Sequence, residues 1–328
     1  MPYQFYGLLH FAENETSAVN CAVTSFNEQI LIYLRNAISL SRSLRSRGIS
    51  FIVLTNQKQE IERLLEQIGQ PGILEIQELC FNMQLPHGLS FFSSHFKLEV
   101  YQYLASLDPQ SYSLLIDLDV IAVNPLPRCF DYIVEHQVPL YYDISDQMIP
   151  AYSHDRLLTD IQKLMPNPSE GRWCGGEFIA GSPDFFSTLS TEVQKILDTY
   201  ISQIDVLYHQ GDELVTSVAL EKMRQQGYVM ADAGTLGIVW RYWSTPPLHP
   251  QKNLDYMKSC FLLHLPTDKK FLAELDEEAA SNQAAFLKTY TTYHWQKRKR
   301  LSRQKKLSGV KGFVKQYLRP LRSNSAAI

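Results

Sequence analysis

Leu114-Leu115-Ile116-Asp117-Leu118-Asp119-Val120-Ile121 sets two carboxylates inside an otherwise apolar run. Residues 113–123 read as a strand whose first half is apolar on both faces, and such a strand belongs at the centre of a sheet. Two buried, unpaired carboxylates there would be costly, so something must compensate them. At i and i+2 of an extended chain Asp117 and Asp119 point to one face, where they can meet a divalent cation and, through it, a diphosphate. The other reading ends the strand at Asp117 and leaves both acids solvated or capping the next turn. The Asn124-Pro125 stop that follows favours the metal reading.

Upstream, residues 19–26 read as a short strand. Residues 27–47 then read as a helix through the spacing of Ile30, Leu31, Leu34, Ile38 and Leu44, stopped by Gly48. A strand at 49–55, a helix at 57–68 and a strand at 73–79 follow, then a helix at 93–107 broken by Asp108-Pro109. This alternation predicts a parallel sheet covered by helices. Downstream come an apolar stretch at 138–144, turn-forming residues at 166–171, a glycine-rich stretch at 174–181, helices at 184–204 and 211–226, and an apolar strand at 260–265. No internal repeat interrupts them. The simplest partition is one catalytic-size domain, 1–280, with an appendix, 281–328.

With 328 residues, 45% of them hydrophobic, the chain can bury a full core, which excludes disorder as its main state. The formal charge of −3 hides a split: from Ala279 onward there are 12 basic residues and no acidic ones, so the first 278 residues carry 19 basic against 34 acidic. Five scattered cysteines without a Cys-x-x-Cys pair argue against a zinc cluster or a disulfide framework and for reduced thiols. No apolar run reaches the roughly 18 residues of a membrane span, and the N-terminal residues lack the pattern of a signal peptide, so a cytoplasmic location is expected. Lys297-Arg298-Lys299-Arg300 with Arg303, Lys305 and Lys306 could bind nucleic acid or anionic lipid. Val310, Phe313, Val314, Tyr317, Leu318 and Leu321 then recur at helical spacing among Lys311, Lys315 and Arg319, ending at Pro320. That amphipathic pattern suits an anionic membrane surface better than nucleic acid, and places the chain peripherally on the inner face of the membrane.

The chain resembles the glycosyltransferases of the GT-A fold, most closely the family 8 type that use a nucleotide-diphosphate sugar. The resemblance rests on the strand-to-helix opening at 22–40, the helix carrying Lys97, the tract at 112–125, the glycine-rich 174–181, Gly211-Asp212-Glu213-Leu214, and His264 with Lys270. Together these cover about residues 19–272. It implies an α/β, Rossmann-like mixed sheet flanked by helices, acting as a hexosyltransferase on a UDP-sugar, with a saccharide or lipid-linked saccharide, such as a lipopolysaccharide core, as acceptor.

The resemblance further implies that Asp117 and Asp119 hold a Mn²⁺ or Mg²⁺ against the donor diphosphate, with His264 as third ligand and Lys270 as the phosphate-gripping lysine. Read without it, His264 is a core histidine on an apolar strand. Phe271 follows Lys270 where the family has Pro-Trp. Lys97 stands where the family often has a donor-contacting Arg, and is otherwise a helix-surface lysine. Gly175 and Gly176 would let backbone approach the sugar, with Glu177 accepting from its hydroxyls, or would simply form a tight strand entry. Asp212 stands where the family usually has Gln. Retaining transfer needs no dedicated base, whereas inverting transfer would require a carboxylate such as Asp212 or Glu177. Two alternatives remain: a sugar-1-phosphate nucleotidyltransferase, whose N-terminal Gly-rich phosphate loop is absent here, and a catalytically silent sugar-binding or membrane-scaffolding protein.

Overall fold

A computed structural model describes residues 3–12, 25–167, 171–245, 247 and 249–317. The chain opens with β1 (Tyr3–Leu8), a strand the helical and alternating patterns did not single out. Of the strand read at 19–26, residues 19–24 lie outside the described residues. Ser25 is instead the N-cap of α1 (Phe26–Arg45), its side chain accepting from the Glu28 N–H and so satisfying one of the helix's open donors. Then follow β2 (Phe51–Thr55), α2 (Lys58–Gln67), β3 (Glu75–Glu78), a 3₁₀ turn at Phe92–Phe96 and α3 (Lys97–Ala105).

The run at 113–123 is not one strand. β4 (Tyr112–Ile116) is buried throughout and lies fourth of seven in the main sheet, whereas β5 (Val120–Ala122) belongs to a separate three-stranded sheet. The two carboxylates occupy the turn between them. The rest of the chain supplies α4 (Cys129–Glu135), β6 (Leu140–Asp143), α5 (Ser145–Tyr152), α6 (His154–Leu164), β7 (Cys174–Gly181), α7 (Pro183–Gln203) and α8 (Asp212–Gln225). It ends with β8 (Ala231–Asp232), β9 (Val239–Arg241), β10 (Leu262–His264), α9 (Lys269–Ala273), α10 (Glu277–Ser281) and α11 (Gln283–Tyr317).

The main sheet runs β3-β2-β1-β4-β7-β6-β8, and the smaller one β5-β10-β9. β1 is parallel to both β2 and β4, while β7 is antiparallel to β4 and β6. The fold is therefore the expected α/β class with a mixed sheet, parallel in its first half. Leu114, Ile116, Phe5 and Val53 are fully buried in the sheet's core, and α3, α7 and α8 pack on one another. Residues through Phe286 form one compact unit and those from Leu287 a second, whose described residues, through Tyr317, belong to α11. Among the described residues no helix is long and apolar enough to cross a membrane. Leu318 to Ile328, the end of the amphipathic pattern, lie outside them.

Candidate active site

The last rung of β4 against β7 is the Asp117 N–H donating to the Glu177 carbonyl at 3.1 Å. Leu118 then turns its side chain into the core, 4% exposed, and β5 departs into the small sheet with Val120 opposite His264 of β10. The Leu265 N–H donates to the Asp119 carbonyl at 3.0 Å and closes the junction. Asp117 and Asp119 thus converge through a turn where two sheets meet, and not through the pleat of one extended strand. Neither is simply solvated: Asp119 is 3% exposed and the Asp117 side chain 26%.

One ligand atom each from Asp117, Asp119 and His264 lie within 4.8 Å of one another. Two bonds of about 2.1 Å span roughly 4.2 Å, so one small cation could join them after minor side-chain closure. Two carboxylate oxygens and an imidazole nitrogen suit Mn²⁺ better than Mg²⁺.

Around this group charges are paired at close range. Lys97, the first residue of α3, is buried: its Nζ lies 2.5 Å from Asp117 Oδ1 and 3.4 Å from Asp212 Oδ2, and it donates to the Gly176 carbonyl at 2.8 Å. Lys269, the first residue of α9, donates to Asp119 Oδ2 and, at 3.2 Å, to the Pro266 carbonyl. Arg241, at the end of β9, donates from Nε to Glu177 Oε1 at 2.7 Å and from Nη2 to Glu213 Oε1 at 2.8 Å.

These neighbours set the protonation states. Burial opposes the charge on Asp119, but Lys269 and His264 outweigh it and hold the carboxyl well below its usual range. Burial raises Asp117, with Lys97 pulling it down and Asp119 pushing it up. His264, disfavoured as a cation by burial, is carried up to about 9 by the Asp119 and Glu177 carboxylates. Lys97, likewise opposed by burial, is held well above its usual value by Asp117 and Asp212.

Gly175 and Gly176 are required here for close approach. A Cβ on Gly175 would overlap Glu177 Oε2, and one on Gly176 would lie 2.9 Å from Asp212 Oδ2 and 3.4 Å from Lys97 Nζ. Glu177 is fully buried, its two oxygens taken by Arg241 and by His264 Nδ1 at 3.0 Å. Read from the sequence as facing the sugar or serving as a base, it faces the protein instead. Asp212 opens α8, where the positive end of the helix dipole favours an acid, and lines the cavity at 4% exposure. Against the cost of burial, Lys97 and the Ser94 hydroxyl keep this carboxyl below its ordinary range.

Lys270 is not at the site. It is exposed, on the surface turn of the short α9, with its Nζ 3.3 Å from Glu28 Oε1. Its neighbour Lys269 points inward because Asp119 and the Pro266 carbonyl receive it. Sequence reasoning also missed Arg241 and Glu213. Arg241 carried the same signal as Asp117, a charge interrupting the apolar run Ile238-Val239-Trp240. Glu213 accepts from the Gly176 N–H at 3.1 Å, Trp173 Nε1 at 3.3 Å and Arg241 Nη2, and His209 Nε2 lies 3.5 Å from it.

Asp117, Asp119, His264, Lys97, Lys269 and Arg241, with Gly176, Asp212 and Glu213, form the floor of a cavity of about 450 Å³. A second part of the lining, the wall, is mostly apolar and aromatic, with Leu8, Leu9, His10, Phe26, Ile30 and Tyr33, and it adjoins the floor where Lys269 Nζ lies 5.6 Å from the Tyr33 ring centre. His10 stacks on Phe96 with ring centroids 3.7 Å apart and meets the edge of Phe81, and burial there pushes its imidazole down to about 4. A pocket with one charged floor and one apolar wall can take a ligand that is anionic at one end and ring-like elsewhere.

No family model matches the chain, and no curated protein matches its sequence. Solved structures similar to it include the galactosyltransferase LgtC in complex with donor and acceptor sugar analogues, at 12% identity and a TM-score of 0.46 over 82% of this chain and 95% of that one. Mouse xyloside xylosyltransferase 1 in its apo form is 11% identical with a TM-score of 0.44, over 80% and 96% of the two chains. The bifunctional glycosyltransferase WbbM is 12% identical with a TM-score of 0.44, over 80% of this chain and 45% of that one. All three are glycosyltransferases, the kind of protein that the sequence resembles. At these identities and scores the likeness carries neither activity nor substrate to this chain.

Proposed function

We propose that the chain is a metal-dependent glycosyltransferase that moves a hexose from a UDP-sugar to a saccharide or lipid-linked saccharide acceptor with retention. The observation that carries this reading is the convergence of Asp117, Asp119 and His264 on a cavity that three further cations, Lys97, Lys269 and Arg241, also border. Two acids and an imidazole would hold Mn²⁺ or Mg²⁺, and when bound that ion supplies Lewis-acid neutralisation of the departing diphosphate.

The chain's own groups have separable roles. Lys97 and Lys269, now paired with Asp117 and Asp119, can turn their ammonium groups to phosphate oxygens once those carboxylates take a cation. Gly176 exposes backbone to the sugar, and Asp212 stands beside it in the lining of the cavity. Its lowered pKa makes it a poor general base, and Glu177 is sequestered, which together favour retention over inversion. The aromatic wall would exclude water from the reacting bond.

The membrane assignment belongs to this proposal too. On α11, Trp295 is 61% exposed with Lys299 Nζ 4.7 Å from its ring centre, and Lys297, Arg298 and Arg300 follow the same stretch. An exposed indole among cations suits the headgroup region of anionic lipid, where each Lys or Arg gains about 1 kcal/mol. A chain ending at Trp295 should therefore lose sedimentation with anionic liposomes while keeping its action on the donor.

The test of the main reading is a panel of UDP-hexoses incubated with the full chain, with and without Mn²⁺ and acceptor saccharides. Release of UDP from one donor that EDTA abolishes is expected. Turnover indifferent to EDTA, or none with any UDP-hexose, contradicts it.

A further inference from the structure

We propose that Glu177 is a positioning residue: it fixes the His264 ring so that Nε2 is presented to the bound cation, and it touches neither donor nor acceptor. The proposal rests on the reading of Asp117, Asp119 and His264 as cation ligands. It departs from the sugar-facing role that the position of Glu177 in Cys-Gly-Gly-Glu-Phe suggests.

Two strands aim at one carboxylate on a third. Arg241 and His264 are register partners on the parallel strands β9 and β10, and both reach Glu177 on β7. His264 Nδ1 lies 3.0 Å from Glu177 Oε1, so in the neutral ring Nδ1 carries the hydrogen and donates it, leaving the Nε2 lone pair on the side of Asp119, whose Oδ2 is 3.2 Å away. Rotation of the imidazole would break that bond and leave a fully buried carboxylate oxygen with fewer donors. Arg241 does the complementary job. It grips both oxygens of Glu177, which fixes the carboxylate plane, and its Nη2 continues to Glu213, which accepts the Gly176 N–H. One hydrogen-bonded chain thus runs from the cation ligand His264 to the backbone beside Asp212.

Stability alone does not account for this arrangement. A fully buried ion pair recovers its desolvation penalty poorly, and apolar residues of similar volume are often at least as stable. Orientation of a ligand is the use to which a buried carboxylate behind a histidine is suited, and loss of such a partner typically weakens metal binding 10- to 100-fold. Gly175 fits the same account, because any side chain there would displace Glu177 Oε2.

The test is Mn²⁺ binding to the full-length chain without donor, followed by electron paramagnetic resonance of the free ion. Wild type, Asp119→Asn, Glu177→Gln and the double variant Glu177→Met/Arg241→Met are compared, with thermal unfolding of each. The double variant removes both members of the ion pair, and Glu213 keeps the Gly176 N–H and Trp173 Nε1 as donors. Expected are a dissociation constant 10- to 100-fold higher than wild type in both Glu177 variants and loss of binding in Asp119→Asn. If Glu177 served only to neutralise Arg241, the double variant would bind Mn²⁺ like wild type, and that result overturns the proposal. Wild-type binding that Asp119→Asn abolishes and neither Glu177 variant alters removes the role of Glu177 while keeping the ligands. Absence of Mn²⁺ binding in wild type removes the ligand set and the proposal with it.

Discussion

Two of the histidines that border the cavity, His264 and His10, are driven in opposite directions. His264, between Asp119 and Glu177, is carried up to about 9 against the effect of burial. His10, between Phe96 and Phe81, has no such partner among the described residues and is pushed down by burial to about 4. The residue type is the same and so is the cavity; what differs is whether carboxylates or aromatic rings supply the contacts. The floor is built to manage charge, and the wall is built to exclude it. A ligand that bridges them must bring negative charge to one side and a flat apolar face to the other.

The largest effect should come from the floor. Asp119→Asn and Asp117→Asn keep side-chain size but remove a cation-directed charge, and each should lower donor turnover at least 10³-fold, about 4 kcal/mol of transition-state stabilisation. Circular dichroism and steady-state kinetics on the same preparations check this. Wild-type turnover in either variant would erase the distinction between floor and wall.

A smaller contrast separates adjacent lysines. Lys269→Met should raise the donor KM at least tenfold, because it deletes the ammonium bonded to Asp119, whereas Lys270→Met should stay within about twofold of wild type. Equal effects would mean that α9 presents Lys270 to the donor instead.

A third contrast lies in the wall and is read as stability against pH. A histidine whose folded pKa is lowered favours folding while neutral: its contribution is fully present above the unfolded value of 6.5 and is lost as pH falls toward about 4. His10→Phe keeps the stack and removes the titration, so the variant should lose less stability than wild type between pH 6.5 and 4, by on the order of 2–3 kcal/mol. Chemical denaturation at several pH values measures this. His264 has the reverse sign in the metal-free chain, stabilising below 6.5 and ceasing to do so as pH rises through about 9. Parallel pH curves for wild type and His10→Phe would show that His10 titrates normally.

The same two regions differ in how much of them the sequence discloses. Asp117, Asp119 and their central strand were legible because charge inside an apolar run is costly and demands a partner. Helical spacing located α1, α7 and α8 to within a few residues. The turn between Asp117 and Asp119 was not legible, since Val120 to Ala122 are as apolar as β4 and only pairing with β10 moves them to another sheet. Which of Lys269 and Lys270 turns inward depends on the start of α9, and side-chain direction changes by about 100° per helical residue. Glu177 could be found as a residue near glycines, but its partners Arg241 and His264 are 64 and 87 positions away. The wall left little trace: β1 is a short run at the start of the chain, and His10 is one polar residue just beyond it.

The measurement that bears most directly on the central claim is the number of Mn²⁺ ions bound per chain, with and without UDP, by electron paramagnetic resonance in wild type and in the double variant Asp117→Asn/Asp119→Asn. The geometry predicts one ion per wild-type chain, bound more tightly when UDP is present, and none in the variant. Equal binding by both proteins, or wild-type binding indifferent to UDP, would contradict a cation site at Asp117, Asp119 and His264 that serves a nucleoside diphosphate.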